Sequence, residues 1–280
     1  MDQHAKFLIN WLLKPNPMSK NILDEIVANT HQVLDSRKKK ISFVKLKEQV
    51  VHTEVDSVFI NAIASHSEED IALIGEIKLS APSAGDLATE QEVVPTAVAY
   101  QEAGINAISV ITDHTYFKGD IEFIGRIKNH VSIPILQKDF IIDEYQIYEA
   151  AKAGSDALLL IARIVNGDTL RDYVLVCRGL GIEPVVEIYD AEDMEKAVAS
   201  GARVMAVNAR DLSTFDIDID HACELLEQLE VNIVKLGFSG VFTRSDVEKY
   251  AGAGARGVLV GTSLMKAASI SEFVAQLKGV

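Results

Sequence analysis

The segment Ile133-Pro134-Ile135-Leu136-Gln137-Lys138-Asp139-Phe140-Ile141-Ile142-Asp143 decides how the rest of this 280-residue chain reads. A β-branched, apolar run suited to a buried strand ends on a lysine, an aspartate and a phenylalanine. A helical spacing then opens and continues over 144–153. Gly154 follows, where a left-handed cap turns a helix into the next strand, 157–161. A lysine at the end of a buried strand is costly unless it is paired or used. The segment therefore marks both a repeating strand–helix unit and a place for chemistry.

The same layout recurs along the chain. Continuously apolar strands read at 71–78, 107–112, 133–137, 157–161, 184–187, 204–207, 233–236 and 257–260. Helices read at 121–129, 144–153, 168–179, 191–200, 220–229, 244–251 and 264–277. Unbroken apolar strands suit a parallel sheet covered by helices. The small-residue units Ala103-Gly104, Ala153-Gly154, Ser200-Gly201 and Ala253-Gly254 punctuate them as helix caps. Eight such units predict an α/β fold, a (β/α)8 TIM barrel. A doubly wound open sheet is the competitor, but it usually carries a G-x-G-x-x-G turn after its first strand, and none stands there in this sequence. One barrel domain is expected over 1–280, with 1–45 as an N-terminal helical extension packed on it. Within that extension a helix over 21–40 forms a lid or a bottom plug and closes in the basic run Arg37–Lys40, read as a solvated helix end.

Composition bounds the function. Hydrophobic residues make up 48% of the chain, enough for a large core, and the formal charge of −14 argues against nucleic-acid or anionic-membrane partners. It leaves room for a small anionic substrate, which needs only local cations or helix N-termini. Cys177 and Cys223 are the only cysteines, so a disulfide framework or multi-cysteine metal site is not expected, and reduced thiols suit a cytoplasmic protein. The apolar patch over 7–13 is interrupted by Asn10 and followed by Lys14-Pro15, which fits neither a secretory segment nor a membrane span, and Met18 is an alternative start. The histidines show no metal-ligand spacing, and no Ser-His-Asp or Cys-His arrangement is apparent.

Barrel sites lie at the C-terminal ends of the strands. There the sequence places Glu76 and Lys78, Lys138, Glu187, Asn208 and, close behind, Arg210. Glu76 and Lys78, two apart on a strand, point to one side. Charges gathered at one end of a low-dielectric barrel shift one another's proton affinities, which suits acid–base work. After the last two strands come Ser239-Gly240 and Gly261-Thr262-Ser263, small residues that expose backbone N–H groups where barrels commonly hold phosphate. Phe117, in the loop after the second strand, and Phe140 flank the same mouth and could hold a flat ring.

These residues resemble the indole-3-glycerol phosphate synthase family from Ile22 onward. The resemblance rests on the Lys138-Asp-Phe-Ile-Ile-Asp143 run, on Val186-Glu-Ile-Tyr-Asp190, on Val207-Asn-Ala-Arg-Asp-Leu212, and on Glu76-Ile-Lys78 with Pro82-Ser83. It implies a carbon–carbon lyase (carboxy-lyase) of tryptophan biosynthesis. The reaction condenses the carbonyl of 1-(2-carboxyphenylamino)-1-deoxyribulose 5-phosphate onto its aromatic ring, with loss of carbon dioxide and water. Lys138 would be the acid and Glu187 the base, Lys78 would lie near the reacting groups, and Glu76 would orient the lysines and substrate hydroxyls. Asn208 and Arg210, with Leu212, Pro82 and Ser83, would position the substrate. Phe117 and Phe140 would hold the ring, and Ser239, Gly240, Gly261 and Thr262 the phosphate. No metal or organic cofactor is implied, and the protein would act as a monomer or weak homo-oligomer on a small-molecule anionic sugar phosphate.

The family's pattern is broken at three places. Ala81 stands where the family has serine, Ala84 where lysine is common, and Phe238 where Glu-Ser-Gly usually begins. If that missing carboxylate orients the lysine, its loss costs on the order of 2–4 kcal/mol in the barrier. Two alternatives to the family's own activity stay open. One is a divergent paralogue acting on a modified anthranilate-derived sugar phosphate, and the other a non-catalytic sugar-phosphate-binding barrel.

Overall fold

The computed structural model describes residues 22–50, 57–64, 71–82, 85–211, 214 and 216–280. Eight strands close into a parallel barrel in chain order: β1 (Ala72–Ile77), β2 (Ala107–Ile111), β3 (Ile135–Lys138), β4 (Ala157–Ile161), β5 (Glu183–Ile188), β6 (Val204–Asn208), β7 (Val234–Phe238) and β8 (Gly257–Val260). The last strand returns to the first, pairing Ala72 with Gly257 and Gly75 with Val260. The expected barrel is therefore the observed one, with each strand within two residues of its predicted limits. Gly104, Gly154, Gly201 and Gly254 all take positive φ, as their reading as caps requires.

Alternation along each strand divides the core in two. Inward positions form one apolar cluster: Ala72 and Ile74, Ala107, Leu136, Leu159 and Ile161, Val185, Val204 and Ala206, Leu236 and Phe238, and Leu259. The other parity, including Leu73, Ile108, Leu158, Val186, Met205 and Val258, packs beneath the surrounding helices. Two glycines let those helices come close. A Cβ on Gly75 would stand 2.6 Å from the Tyr100 ring, and one on Gly237 would stand 2.3 Å from the Tyr250 ring. Each tyrosine then bonds the end of the strand it covers. Tyr100 donates to the Glu76 carbonyl at 3.2 Å, and Tyr250 to the carbonyls of Phe238 and Ser239 at 3.2 and 3.0 Å.

Before the barrel come α1 (Ile22–Lys40), α2 (Phe43–Lys47) and α3 (Val58–Ala64). The plug of the barrel interior is α3, which the apolar pattern did not reveal, and not α1. Phe59 and Ile63 belong to the inner cluster, and Ile63 lies 3.4 Å from where a Cβ on Gly257, the first residue of β8, would stand. α1 lies instead against the segments after β2 and β3, with Asn29 donating to Thr115 Oγ1 at 2.9 Å. Its basic end is only partly solvated. Arg37 pairs with Glu149 at 2.9 Å and Lys38 with Asp143 at 2.6 Å, both partners belonging to or capping the helix after β3, α7 (Glu144–Ala153), once α4 (Val93–Glu102), α5 (His114–Phe117) and α6 (Glu122–Lys128) are counted. The apolar patch over 7–13 and Met18 lie outside the described residues.

The remaining helices are α8 (Gly167–Gly179), α9 (Ala191–Ala199), α10 (Ile219–Gln228), α11 (Arg244–Gly252), α12 (Thr262–Met265) and α13 (Ile270–Lys278). The single helix expected over 264–277 is thus two. α12 ends at Met265 with Lys266 as its cap, and Ser269 starts α13 afresh, its side chain accepting the Glu272 N–H at 3.3 Å. No helix among the described residues is long and apolar enough to cross a membrane.

Two outcomes follow from this packing. Gly237→Ala drives a methyl group into the Tyr250 ring and lowers the unfolding free energy by about 1–3 kcal/mol, read as a lower urea midpoint at unchanged slope. Burial pushes the Glu149 carboxyl up to about 7 from 4.5, with Arg37 opposing and Asp139 adding to the rise. A carboxyl bound to its proton more tightly in the folded state favours folding fully below the unfolded value and loses that contribution as pH rises through the folded one. Stability therefore falls between about pH 4.5 and 7, and Glu149→Gln flattens that part of the urea-midpoint profile.

Candidate active site

Following the inward parity to the strand ends leads from the apolar cluster directly to Glu76, Lys138, Glu187, Asn208 and Phe238. Each stands two residues beyond an inward apolar residue of its own strand: Ile74, Leu136, Val185, Ala206 and Leu236. They line a cavity at the barrel mouth together with Lys78, Pro82, Phe117, Phe140, Arg210, Ser239, Gly240, Gly261 and Thr262. Its non-protein space is about 1040 Å³, part of it open to solvent. Every sequence-predicted site residue within the described part of the chain is thus brought to one place. Ser83 and Leu212, and the altered position Ala84, lie outside the described residues.

The charged groups are tightly arranged. Lys78 bonds Glu76 Oε1, and Lys138 Nζ stands 3.8 Å from Glu76 Oε2 and 3.9 Å from Glu187 Oε2. Both carboxylates are only 3% exposed, so their attraction to the lysines is little screened. Burial pushes the Glu76 carboxyl up, but the Lys78 and Lys138 charges and the Lys78 hydrogen bond outweigh it and hold the group below its usual range. Glu187 is oriented on one side: Asn208 Nδ2 donates to its Oε1 at 3.2 Å, while its Oε2 accepts no hydrogen bond among the described residues. Asn208 is itself fixed, its Oδ1 accepting from Ser239 Oγ at 2.8 Å and from the Arg210 N–H at 3.0 Å.

Thr112 donates its N–H to the Lys138 carbonyl at 3.0 Å and belongs to a buried side-chain network that sequence reasoning missed. Thr112 Oγ1 donates to Asp139 Oδ2 at 2.6 Å, Gln137 Nε2 donates to Thr112 Oγ1 at 3.1 Å, and Ser155 Oγ donates to Gln137 Oε1 at 2.8 Å. Asp139 also accepts the Phe140 N–H at 2.8 Å, and burial holds its carboxyl above the usual range. The available signal was the unusual Gln137, a polar residue on the helix-facing side of a strand end.

Phe117 is not in an open loop but ends α5, which Asp113 caps by accepting the N–H groups of Tyr116 and Phe117 at 2.7 and 3.2 Å. Its ring centroid lies 6.3 Å from that of Phe140, tilted by 31°, so the two rings flank one edge of the cavity. The floor is apolar: Ile111, Leu159, Ile161, Phe238 and Leu259 line it, and of these the sequence pattern marks only Phe238. On the opposite side the two small-residue loops meet. Ser239 and Gly240 take positive φ (69° and 78°), and Ser263 Oγ donates to the Val241 carbonyl at 2.7 Å, tying the loops together. Gly261 needs its bare Cα, because a Cβ there would stand 2.5 Å from Glu76 Oε1.

Fold and cavity define a (β/α)8 barrel of the enzyme type, with acid–base groups and an apolar floor at the C-terminal strand ends. Known proteins narrow the class. The sequence profile described as indole-3-glycerol phosphate synthase matches residues 23–277. The indole-3-glycerol phosphate synthase of Ruminiclostridium cellulolyticum is 36% identical over 258 residues, covering 92% of this chain and 99% of its own length. That of Aliarcobacter butzleri is 36% identical, covering 92% and 98%. The chain belongs to the indole-3-glycerol phosphate synthase family, a family of enzymes of tryptophan biosynthesis. Among solved structures, 3-hexulose-6-phosphate synthase aligns with a TM-score of 0.61 at 16% identity, covering 75% of this chain and 99% of that one. A chain of the tryptophan synthase complex of Pyrococcus furiosus aligns at 0.58 and 17%, with 75% and 99% covered. Both show the barrel fold alone.

Thr112→Val keeps the side-chain shape but strips Asp139 and Gln137 of their shared partner. It lowers the unfolding free energy by about 1–3 kcal/mol, the cost of leaving buried polar groups unsatisfied, as measured by urea denaturation.

Proposed function

We propose that this chain closes the indole ring of 1-(2-carboxyphenylamino)-1-deoxyribulose 5-phosphate, as a carboxy-lyase yielding indole-3-glycerol phosphate. The observation that carries the reading is the Lys138 ammonium, 3.8 and 3.9 Å from two buried carboxylates that line the mouth cavity. No hydrogen bond fixes it among the described residues, so a substrate oxygen can accept from it. The family's own name and the small-residue loops after β7 and β8 support the same choice.

The chemistry divides among the residues present. The phosphate rests against Ser239, Gly240, Gly261 and Thr262, and the aromatic ring sits between Phe117 and Phe140. Lys138 donates to the substrate's carbonyl oxygen as the ring carbon bearing the carboxylate attacks. A carbon–carbon bond forms and the oxygen becomes a hydroxyl. The carboxylate then leaves as carbon dioxide, its bonding pair restoring the aromatic ring. Finally Lys138, recharged with a proton from solvent, gives it to the hydroxyl, which leaves as water. Glu187, its free Oε2 being the available acceptor, takes the proton from the neighbouring carbon, and the C–H pair forms the new double bond. Glu76 bonds Lys78 and stands 3.8 Å from Lys138, drawing both lysines to one side of the cavity. Asn208 holds Glu187, and Arg210 sits at the rim for the substrate's anionic groups. The acid–base step supplies about 10²–10⁴-fold in rate. We place the protein in the cytoplasm, acting as a monomer or weak homo-oligomer.

Purified protein given the substrate develops indole fluorescence. Lys138→Ala lowers kcat by about 10³-fold and Glu187→Gln by about 10²-fold, both without loss of the folded circular-dichroism signal. A wild type that binds substrate but never turns it over contradicts the assignment.

A further inference from the structure

We propose that Phe238 is a positioning residue for Lys138, holding the ammonium by a cation–π contact that leaves its protons free for the substrate. The inference rests on Lys138 acting as the acid. Lys138 reaches inward from β3, and its Nζ lies 5.7 Å from the centroid of the Phe238 ring on β7. A charge within about 6 Å of a ring face is attracted to it, most strongly where water is excluded. Here the ring is 1% exposed and belongs to the same inner cluster as Leu236, Leu259, Leu159 and Ile161.

The other partners of Lys138 do not fix it in the same way. Glu76 and Glu187 stand at 3.8 and 3.9 Å, beyond hydrogen-bond reach, whereas Lys78 commits a proton to Glu76. A ring face attracts the charge as a whole without accepting a particular proton, so it centres the ammonium while its donors stay available. The ring is also on a rigid support. Phe238 sits in register with Asn208 and Leu259, and its carbonyl accepts from Tyr250 at 3.2 Å. A carboxylate at this position would instead compete for a proton, and an aliphatic side chain would fill the space without a negative face.

The contrary view is that the ring only fills the floor. Replacing Phe238 by mono-, di- and trifluorinated phenylalanine keeps its size while draining the ring face of negative potential. Log kcat falls steadily along the series, KM changes by less than about twofold, and the melting temperature is unchanged. Phe238→Leu lowers kcat by about 5- to 30-fold. A kcat that stays flat along the fluorinated series overturns the proposal. A second readout does not depend on turnover. In lysine-13C-labelled protein the ε-methylene peak of Lys138, identified by its loss in Lys138→Arg, moves downfield in Phe238→Leu as the ring current is removed. A peak that stays put overturns the contact. Turnover surviving in Lys138→Ala would defeat the acid assignment alone, leaving the methylene peak to decide whether Phe238 holds the lysine.

Discussion

The closed barrel confines charge to its two ends. Side chains pointing inward from eight strands must fill a space sealed at one end by Phe59 and Ile63, so the positions between the ends are apolar apart from the buried Ser109. Among the described residues the one inward charge at the strand starts, Glu183, is held by Arg203 at 2.7 Å. Only the final inward position reaches the mouth, and there Glu76, Lys138, Glu187 and Asn208 appear. Low dielectric then forces them to pair, because an unpaired charge at that depth would cost several kcal/mol. The cluster of opposite charges is thus a consequence of the fold's geometry as much as of any reaction. Within it one ammonium, that of Lys138, is held only at ion-pair distance, 3.8 and 3.9 Å from its two carboxylates.

The overall charge of the chain and the charge of its cavity run in opposite senses. At −14 the protein repels anions at long range, yet Lys78, Lys138 and Arg210 converge on the mouth. Screening limits the long-range repulsion to about 8 Å at physiological ionic strength, so the local cations govern a ligand once it is at the rim. Burial holds the Arg210 guanidinium somewhat below its usual range, with Glu76 opposing the shift. The mouth therefore presents its cations in a setting short of water.

Much of this was legible because two independent periodicities agreed. Apolar runs of strand length alternated with 3.6-residue patterns, and glycine caps at 104, 154, 201 and 254 marked four of the returns. The polar residues at strand ends then followed from barrel geometry. What escaped had no such periodic signal. α3 is only seven residues long, too short to show a period, and its role depends on which end of the barrel it meets. α4 is apolar on most of its faces, with Val93, Val94, Ala97, Val98 and Ala99 leaving little contrast, and so did not stand out as amphipathic. The break between α12 and α13 lies in Ala267-Ala268-Ser269, where two good helix formers hid a cap. In the site, the Asp139–Thr112–Gln137–Ser155 chain joins residues far apart in sequence, which no local pattern shows. Phe238 was noticed only as a departure from a family pattern; its place beneath Lys138 needed the closed barrel.

The seam between β1 and β8 joins Ala72 to Gly257, so the two edges of the sheet are synthesised almost the whole barrel apart. Until β8 emerges, β1 pairs only with β2, and the other edge of this strand, buried along its whole length in the finished fold, leaves its backbone groups open to any passing strand. Closure across such a separation carries a large loop-entropy penalty and belongs to the slow end of folding. The same feature that seals the finished cavity therefore leaves an aggregation-prone edge on the nascent chain until the β8 segment has been made.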